Sequence, residues 1–239
     1  MKNEGFSDGP KVEVRRTADG SATLYVPALD EHYHSRHGAR QESAHVFIGA
    51  GLVPLLDAGL GGPCRRPLRL LEVGLGTGLN ALLTLHRARQ AGAAVAYDGL
   101  ETLPLPTAVV AALAPEWAAP PDASGHLFEA LHAAPWGVMH PLAPGFFLTK
   151  LPEPLEAATL PASYYDLIYF DAFAPEKQPE LWTEAIFGKL YAAAAPGAVL
   201  VSYCAQGQFR RNLRAVGWRT EKLPGPPGKR EMTRAGKTG

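Results

Sequence analysis

The chain has little sulfur, no long apolar run and no net charge. Its 239 residues include two cysteines, Cys64 and Cys204, and three methionines. Two distant cysteines make neither a metal-type nor a redox pair in sequence. No stretch of about 20 apolar residues occurs, so no helix is expected to span a membrane. The opening MKNEGFSDGP lacks the apolar core of a secretory signal. Together these absences predict a soluble, cytoplasmic protein. The charges cancel at pH 7, but unevenly. From Ala205 to Gly239 nine Lys/Arg face two Glu. That end is basic and the rest of the chain is correspondingly acidic. A basic end is either a nucleic-acid footprint or a solvated helix face with a tail.

What is present points to one α/β domain, or one domain with a small extension. The chain is 46% hydrophobic and 19% charged. Residues 11–26 alternate around ADGSA, as in a strand hairpin. Residues 28–49 are polar and histidine-rich, and helical character begins around ESAHVFIGAGLVPLL. A regular alternation follows. Strands are expected at 68–76, 94–101, 145–151, 164–172 and 198–204. Helices are expected at 79–90, 105–117, near 124–133, at 179–194 (stopped by Pro196-Gly197) and at 206–217. Two final strands, WRTEKL and REMTRA, flank PGPPGK. Apolar strands alternating with helices imply a parallel, doubly wound sheet. The last two strands have no helix between them and make an antiparallel edge. This is the architecture of class I methyltransferases.

Chemistry concentrates at two places. LLEVGLGTGLN runs from a strand through Gly74, Gly76 and Gly78 into a helix, and glycine lets backbone approach a ligand closely. The third glycine of G-x-G-x-x-G is absent, since Leu79 occupies that position, and this weakens a nicotinamide reading. Glu72 precedes the loop, and Thr77 and Asn80 complete its polar set. Glu101 ends the next strand, 23 residues after Gly78, where a carboxylate can accept both ribose hydroxyls or simply cap a helix. Asp98 competes with it but lies inside the strand. The second place is IYFDAFAPEKQPELW, an apolar strand that ends on Asp171. Its C-terminus is expected at the topological switch, beside Phe173 and Pro175; the plainer alternative is a loop or N-cap Asp. The arrangement is similar to the (Asp/Asn)-Pro-Pro-(Tyr/Phe) loop of amino-group methyltransferases. There a side-chain oxygen holds the target amine and an aromatic ring packs on the base. An Asp acceptor suits an amine nucleophile, with the proton leaving to water.

DAFAPEKQPELWTEAIF, PGPPGKREM, EVGLGTGLN and EHYHSRHGARQESAHVFIGAGL resemble the methyltransferase half of the tRNA 5-methylaminomethyl-2-thiouridine biosynthesis (MnmC) family and its stand-alone, MnmD-type relatives. The resemblance runs from about Thr23 to Arg234. It implies S-adenosylmethionine as cofactor and methylation of the 5-aminomethyl group on the wobble uridine of tRNA. It implies contact with the tRNA anticodon region; the FAD-dependent oxidase half of the fused protein is not in this sequence, so no oxidase activity is expected. The enzymes that install the aminomethyl and thio groups become candidate partners. Residues 1–60 are expected as hairpin and cleft-covering segment, and 61–239 as the methyltransferase domain. Gln206 stands where the family leads one to expect Lys, and Ala198 replaces a usual second Gly.

The same resemblance makes HYHSRHGARQE a cleft cover with Tyr33, Arg36 and Glu42 as substrate-binding candidates. His32, His34, His37 and His45 lack the acidic or cysteine partners of a metal set, so no metal is expected. Lys229 and Arg230 either touch tRNA phosphates or solvate a hairpin. Arg210, Arg211 and Arg214 share a helical spacing that suits a phosphate-binding row. Three other readings stay open at this point. They are a small-molecule or protein amine methyltransferase, a nucleotide-dependent oxidoreductase, and a methyltransferase fold kept only to bind RNA.

Overall fold

A computed structural model describes residues 11–33, 38–118 and 125–239. The N-terminal hairpin pairs β1 (Glu13–Arg16) with β2 (Ala22–Val26), and β3 (Glu31–His32) adds to β2. Asp19 organises the turn, accepting from Thr17 and Ser21. Next come α1 (Ala39–Ser43), a π-helical stretch Ala44–Leu52 and α2 (Val53–Asp57). Arg36, His34 and His37 lie outside the described residues. His45 bonds the carbonyl of Pro224 at 2.8 Å, and no group of three or more potential metal ligands occurs among the described residues.

The main sheet holds eight strands. They are β4 (Leu68–Val73), β5 (Val95–Leu100), β6 (His140–Ala143), β7 (Phe146–Leu151), β8 (Tyr165–Phe170), β9 (Ala194–Ser202), β10 (Arg219–Pro224) and β11 (Glu231–Gly236). Their spatial order is β10-β11-β9-β8-β4-β5-β7-β6. The chain builds outward from β4 through β5 to β7, then crosses back to β8 and β9. The direction therefore reverses between β4 and β8, where such sheets open a crevice at their carboxyl ends. β4, β5, β7, β8 and β9 are parallel, while β10–β11 and β6 form antiparallel edges.

Every residue of β8 is buried because helices cover both faces. Tyr169 faces one core with Leu70, Tyr97, Phe47 and the helices α3 (Leu79–Gln90), α4 (Thr107–Ala118) and α5 (Gly125–Ala133). Ile168 and Phe170 face the other, with Leu71, Trp182, Phe187 of α6 (Glu184–Ala193) and Phe209 of α7 (Gly207–Ala215). The period of two therefore sorts one apolar run into two cores.

Two expectations from the sequence are corrected. The helix expected over 179–194 is broken into a 3-10 turn, Pro179–Trp182, and α6. Thr183 is extended, with φ −94° and ψ 158°, and its Oγ1 accepts from Ile186 N as an N-cap. The helix also stops at Ala193, before Pro196-Gly197, which lies within β9. The sequence reading missed β6, a short strand carrying Pro141 at the sheet edge.

Gly51 lets the π-helical stretch lie directly on the sheet. A Cβ there would come 2.9 Å from Val201 Cγ2 and 3.3 Å from Tyr169 Cε1. Gly51→Ala should therefore cost about 1–3 kcal/mol, read as a lower urea midpoint. Gly236→Ala meets no atom within 4 Å and serves as the matched control. Equal stability of the two variants would contradict this docking.

Candidate active site

The glycine loop folds back over the end of β5. Gly74 N and Leu75 N both donate to Leu100 O, at 3.1 and 3.0 Å. Gly74 has φ +90°, and a Cβ on it would lie 2.6 Å from Asp171 O. Only glycine fits, because the loops after β4 and β8 pass in contact. Asp171 N donates to Val73 O at 3.0 Å, which locks that contact.

Asn80, at the start of α3, spans two carboxylates. Its Nδ2 donates to Glu72 Oε1 and to Asp171 Oδ2, each at 2.8 Å. Tyr97 OH donates to Glu72 Oε2 at 2.7 Å. Burial, and then the charge of Asp171, push the Glu72 carboxyl well above the usual carboxylate range. Burial, with the charge of Glu42 behind it, pushes Asp171 up to about 7, while Asn80 and Lys229 pull it back. Glu101 Oε2 accepts from Gly76 N at 2.9 Å and Oε1 from Leu103 N at 2.8 Å. Burial raises this carboxyl and the backbone donors oppose the rise.

The loop after β8 is held from three sides. Gln178 Oε1 accepts from Phe173 N at 2.9 Å, Trp182 Nε1 donates to Phe173 O at 2.9 Å, and Tyr203 OH donates to Ala172 O at 2.8 Å. The Phe173 ring meets Tyr33 edge-on, with centroids 5.3 Å apart. Across the opening, Lys229 Nζ lies 3.0 Å from Glu42 Oε2 and 4.1 Å from the centre of the Tyr203 ring. These groups enclose a cleft of about 490 Å³.

The residues fit S-adenosylmethionine. Glu101 lines the cleft beside the glycine loop, and its oxygens keep lone pairs for ribose hydroxyls. Asn80 Oδ1 and Thr77 Oγ1 are buried atoms of cleft residues with no hydrogen-bond partner among the described residues, and a ligand's polar groups would satisfy them. Leu79, Leu100 and Leu103 supply apolar wall.

A family described as S-adenosyl-L-methionine-dependent methyltransferase matches residues 153–238. The chain is 33% identical over 234 residues to the "tRNA 5-methylaminomethyl-2-thiouridine biosynthesis bifunctional protein MnmC" of Cupriavidus metallidurans, covering 88% of the chain and 32% of that protein. With the protein of the same name from Magnetococcus marinus, identity is 37% over 226 residues, covering 89% of the chain and 32% of the relative. The chain is an S-adenosyl-L-methionine-dependent methyltransferase, similar over most of its own length to these MnmC proteins. It spans about a third of the length of the curated relatives it matches. The crystal structure titled MNMC2 from Aquifex aeolicus superposes with a TM-score of 0.73 at 24% identity, over 96% of this chain and 71% of that one. It shares the class I methyltransferase fold.

In this methyltransferase Gly74, Gly76, Thr77, Asn80, Glu101, Asp171, Phe173, Tyr33, Glu42 and Lys229 come together on the cleft. Glu72 does not line it. The carboxylate is fully buried beneath the floor and acts on the cleft through Asn80. Gly78 also lies behind the lining, in a left-handed cap where a Cβ would meet Leu131 at 2.8 Å. Pro175 is half-buried and Arg230 exposed, and neither lines the cleft. The basic row is corrected too. Arg210 is buried against Glu231 at 3.3 Å, whereas Arg211 and Arg214 are exposed and donate to Gln208 and Thr220. Helical spacing could not show that the hairpin covers one of the three. Gln206 is exposed and donates to Glu176. Asp98 accepts from Tyr165 OH away from the lining.

The sequence reading missed Tyr203, Gln178 and the stretch Glu153–Glu156, all of which line the cleft. Tyr203 directly follows the carboxyl end of β9 and Glu153 lies two residues past that of β7, and that position was the available signal.

Glu101→Ala should weaken S-adenosylmethionine binding about tenfold or more, measured by calorimetry. Asp98→Asn should leave it unchanged. Equal affinity in the Glu101 variant would remove that carboxylate from the cofactor site.

Proposed function

We propose that this methyltransferase N-methylates the 5-aminomethyl group of wobble 5-aminomethyl-2-thiouridine in tRNA, giving 5-methylaminomethyl-2-thiouridine. The observation that carries the reading is Asp171. Its carboxylate ends an apolar strand, is tethered by Asn80, and stands in the cleft beside Phe173 and Tyr33. The printed names of the curated relatives supply the tRNA.

A primary amine attacks only as the neutral base, because an ammonium has no free lone pair. Bound S-adenosylmethionine supplies the electrophilic methyl group. With it bound, the amine nitrogen would take that methyl, the C–S electron pair staying with sulfur. The secondary ammonium then loses a proton to water. Asp171 accepts an amine N–H, aligns the nitrogen and stabilises its growing charge. Phe173 and Tyr33 form an aromatic wall for the base. In-line displacement gains much of its rate from such alignment. The S-adenosylmethionine site is read as Gly74, Gly76, Thr77, Asn80 and Glu101. Tyr33 and Glu42 supply part of the cleft wall from the N-terminal side. Exposed Arg211, Arg214 and Arg230 are the basic groups offered to phosphates, while Lys229 in the cleft is paired with Glu42.

A second reading also has a specific observation behind it. Seven carboxylates and one lysine line the cleft, a charge balance that equally suits a small cationic amine. Transfer of labelled methyl to bulk tRNA from a strain lacking the gene, followed by nucleoside mass spectrometry, separates the two. Label in 5-methylaminomethyl-2-thiouridine is expected. Label confined to added small amines would overturn the tRNA reading.

Asp171→Ala should keep cofactor binding and lose methylation by about a hundredfold or more. A carboxyl raised to about 7 is protonated below that pH and accepts poorly there. The wild-type kcat/KM should therefore fall as pH drops through about 7. A flat profile from pH 6 to 8, or normal turnover by the variant, would remove Asp171 from the mechanism.

A further inference from the structure

Two carboxylates stand in the cleft, and each is tethered through one oxygen only. Asp171 Oδ2 accepts from Asn80 Nδ2 at 2.8 Å. Glu42 Oε2 is paired with Lys229 Nζ at 3.0 Å. Asp171 Oδ1 and Glu42 Oε1 have no hydrogen-bond partner among the described residues. Both side chains line the same cleft, although Glu42 is only 7% exposed.

The two tethers share a frame. Lys229 sits over the Tyr203 ring at 4.1 Å, and Tyr203 OH donates at 2.8 Å to the carbonyl of Ala172, next to Asp171. Glu42 comes from α1, Lys229 from the loop between β10 and β11, and Asp171 from the end of β8. A buried glutamate with a dedicated lysine partner and one open oxygen on the cleft is a held acceptor.

A neutral primary amine carries two N–H donors and one lone pair. With one donor on Asp171 and the other on Glu42, the lone pair is left facing away from both carboxylates. The monomethylated product, as a neutral secondary amine, has a single N–H. It cannot fill both acceptors with its lone pair presented in the same direction, and its new methyl group takes the place of one donor.

We propose that Glu42 is the second acceptor for the substrate amine and thereby limits the reaction to one methyl group. This rests on the amine-methylating reading above. Each turnover forms one N–C bond, breaks one C–S bond with the pair going to sulfur, and releases one proton to water. A second turnover would need the same alignment from a nitrogen with one donor fewer.

The test compares wild type, Glu42→Ala and Glu42→Gln on tRNA carrying the 5-aminomethyl group, with products resolved by nucleoside mass spectrometry. Wild type should give the monomethyl product alone. Glu42→Gln, which keeps an acceptor oxygen, should do the same at lower rate. Glu42→Ala should release the limit, with the 5-dimethylaminomethyl nucleoside reaching about a tenth of the product or more. Monomethyl product alone from a folded, active Glu42→Ala enzyme would overturn the inference while leaving the proposed function intact. Should that variant not fold or not turn over, wild type decides. Its kcat/KM on monomethylated tRNA should be about tenfold or more below that on the primary amine, and equal values would overturn the inference. No transfer by wild type to the primary amine would instead overturn the proposed function, and this inference with it.

Discussion

The side-chain amide of Asn80 is the contact on which the site depends. One nitrogen serves Glu72 beneath the floor and Asp171 on it. Two carboxylates this deeply enclosed are costly unless donors satisfy them. Asn80 supplies a donor to each, and Tyr97 adds one to Glu72. Gly74 packs against the Asp171 carbonyl, so the glycine loop after β4 and the loop after β8 share one contact. The cleft is thus a single hydrogen-bonded unit that runs from β5 through β4 to β8.

Charge is distributed to match this chemistry. The chain is neutral overall, yet the cleft is lined by seven carboxylates and one lysine. Those acids all belong to the first 204 residues, the part that carries the acidic surplus. An acidic interior favours a cationic or amine-bearing group over a phosphate. The basic surplus lies in the last third of the sheet and its helix, where Arg211, Arg214 and Arg230 are exposed. On the proposed function, tRNA phosphates would meet basic groups outside the cleft and the substrate amine would meet carboxylates within it.

Much of the fold was legible because its signals are local. The boundaries of α3 match the predicted 79–90, since leucines at helical period follow a glycine loop. The apolar run of β8 ending on Asp171 pointed to the strand and to the site together. Glu101 was placed by its spacing from the glycines. Contacts between distant segments were not legible. Nothing local says that Lys229 meets Glu42, or that Glu231 covers Arg210. Trp182 fell inside the helix expected over 179–194, whereas Thr183 breaks that helix and Trp182 and Gln178 hold the Phe173 loop. Glu72 had the right neighbourhood and the wrong depth, because a strand residue's face depends on which helix covers it.

The central claim is that one cleft holds S-adenosylmethionine on the Glu101 side and presents its methyl group to Asp171. A crystal structure with S-adenosylhomocysteine bound tests it most directly. The account predicts both ribose hydroxyls on Glu101 and the sulfur turned toward Asp171, with Phe173 beside it. A ribose bound away from Glu101, or a sulfur pointing away from Asp171, would contradict it.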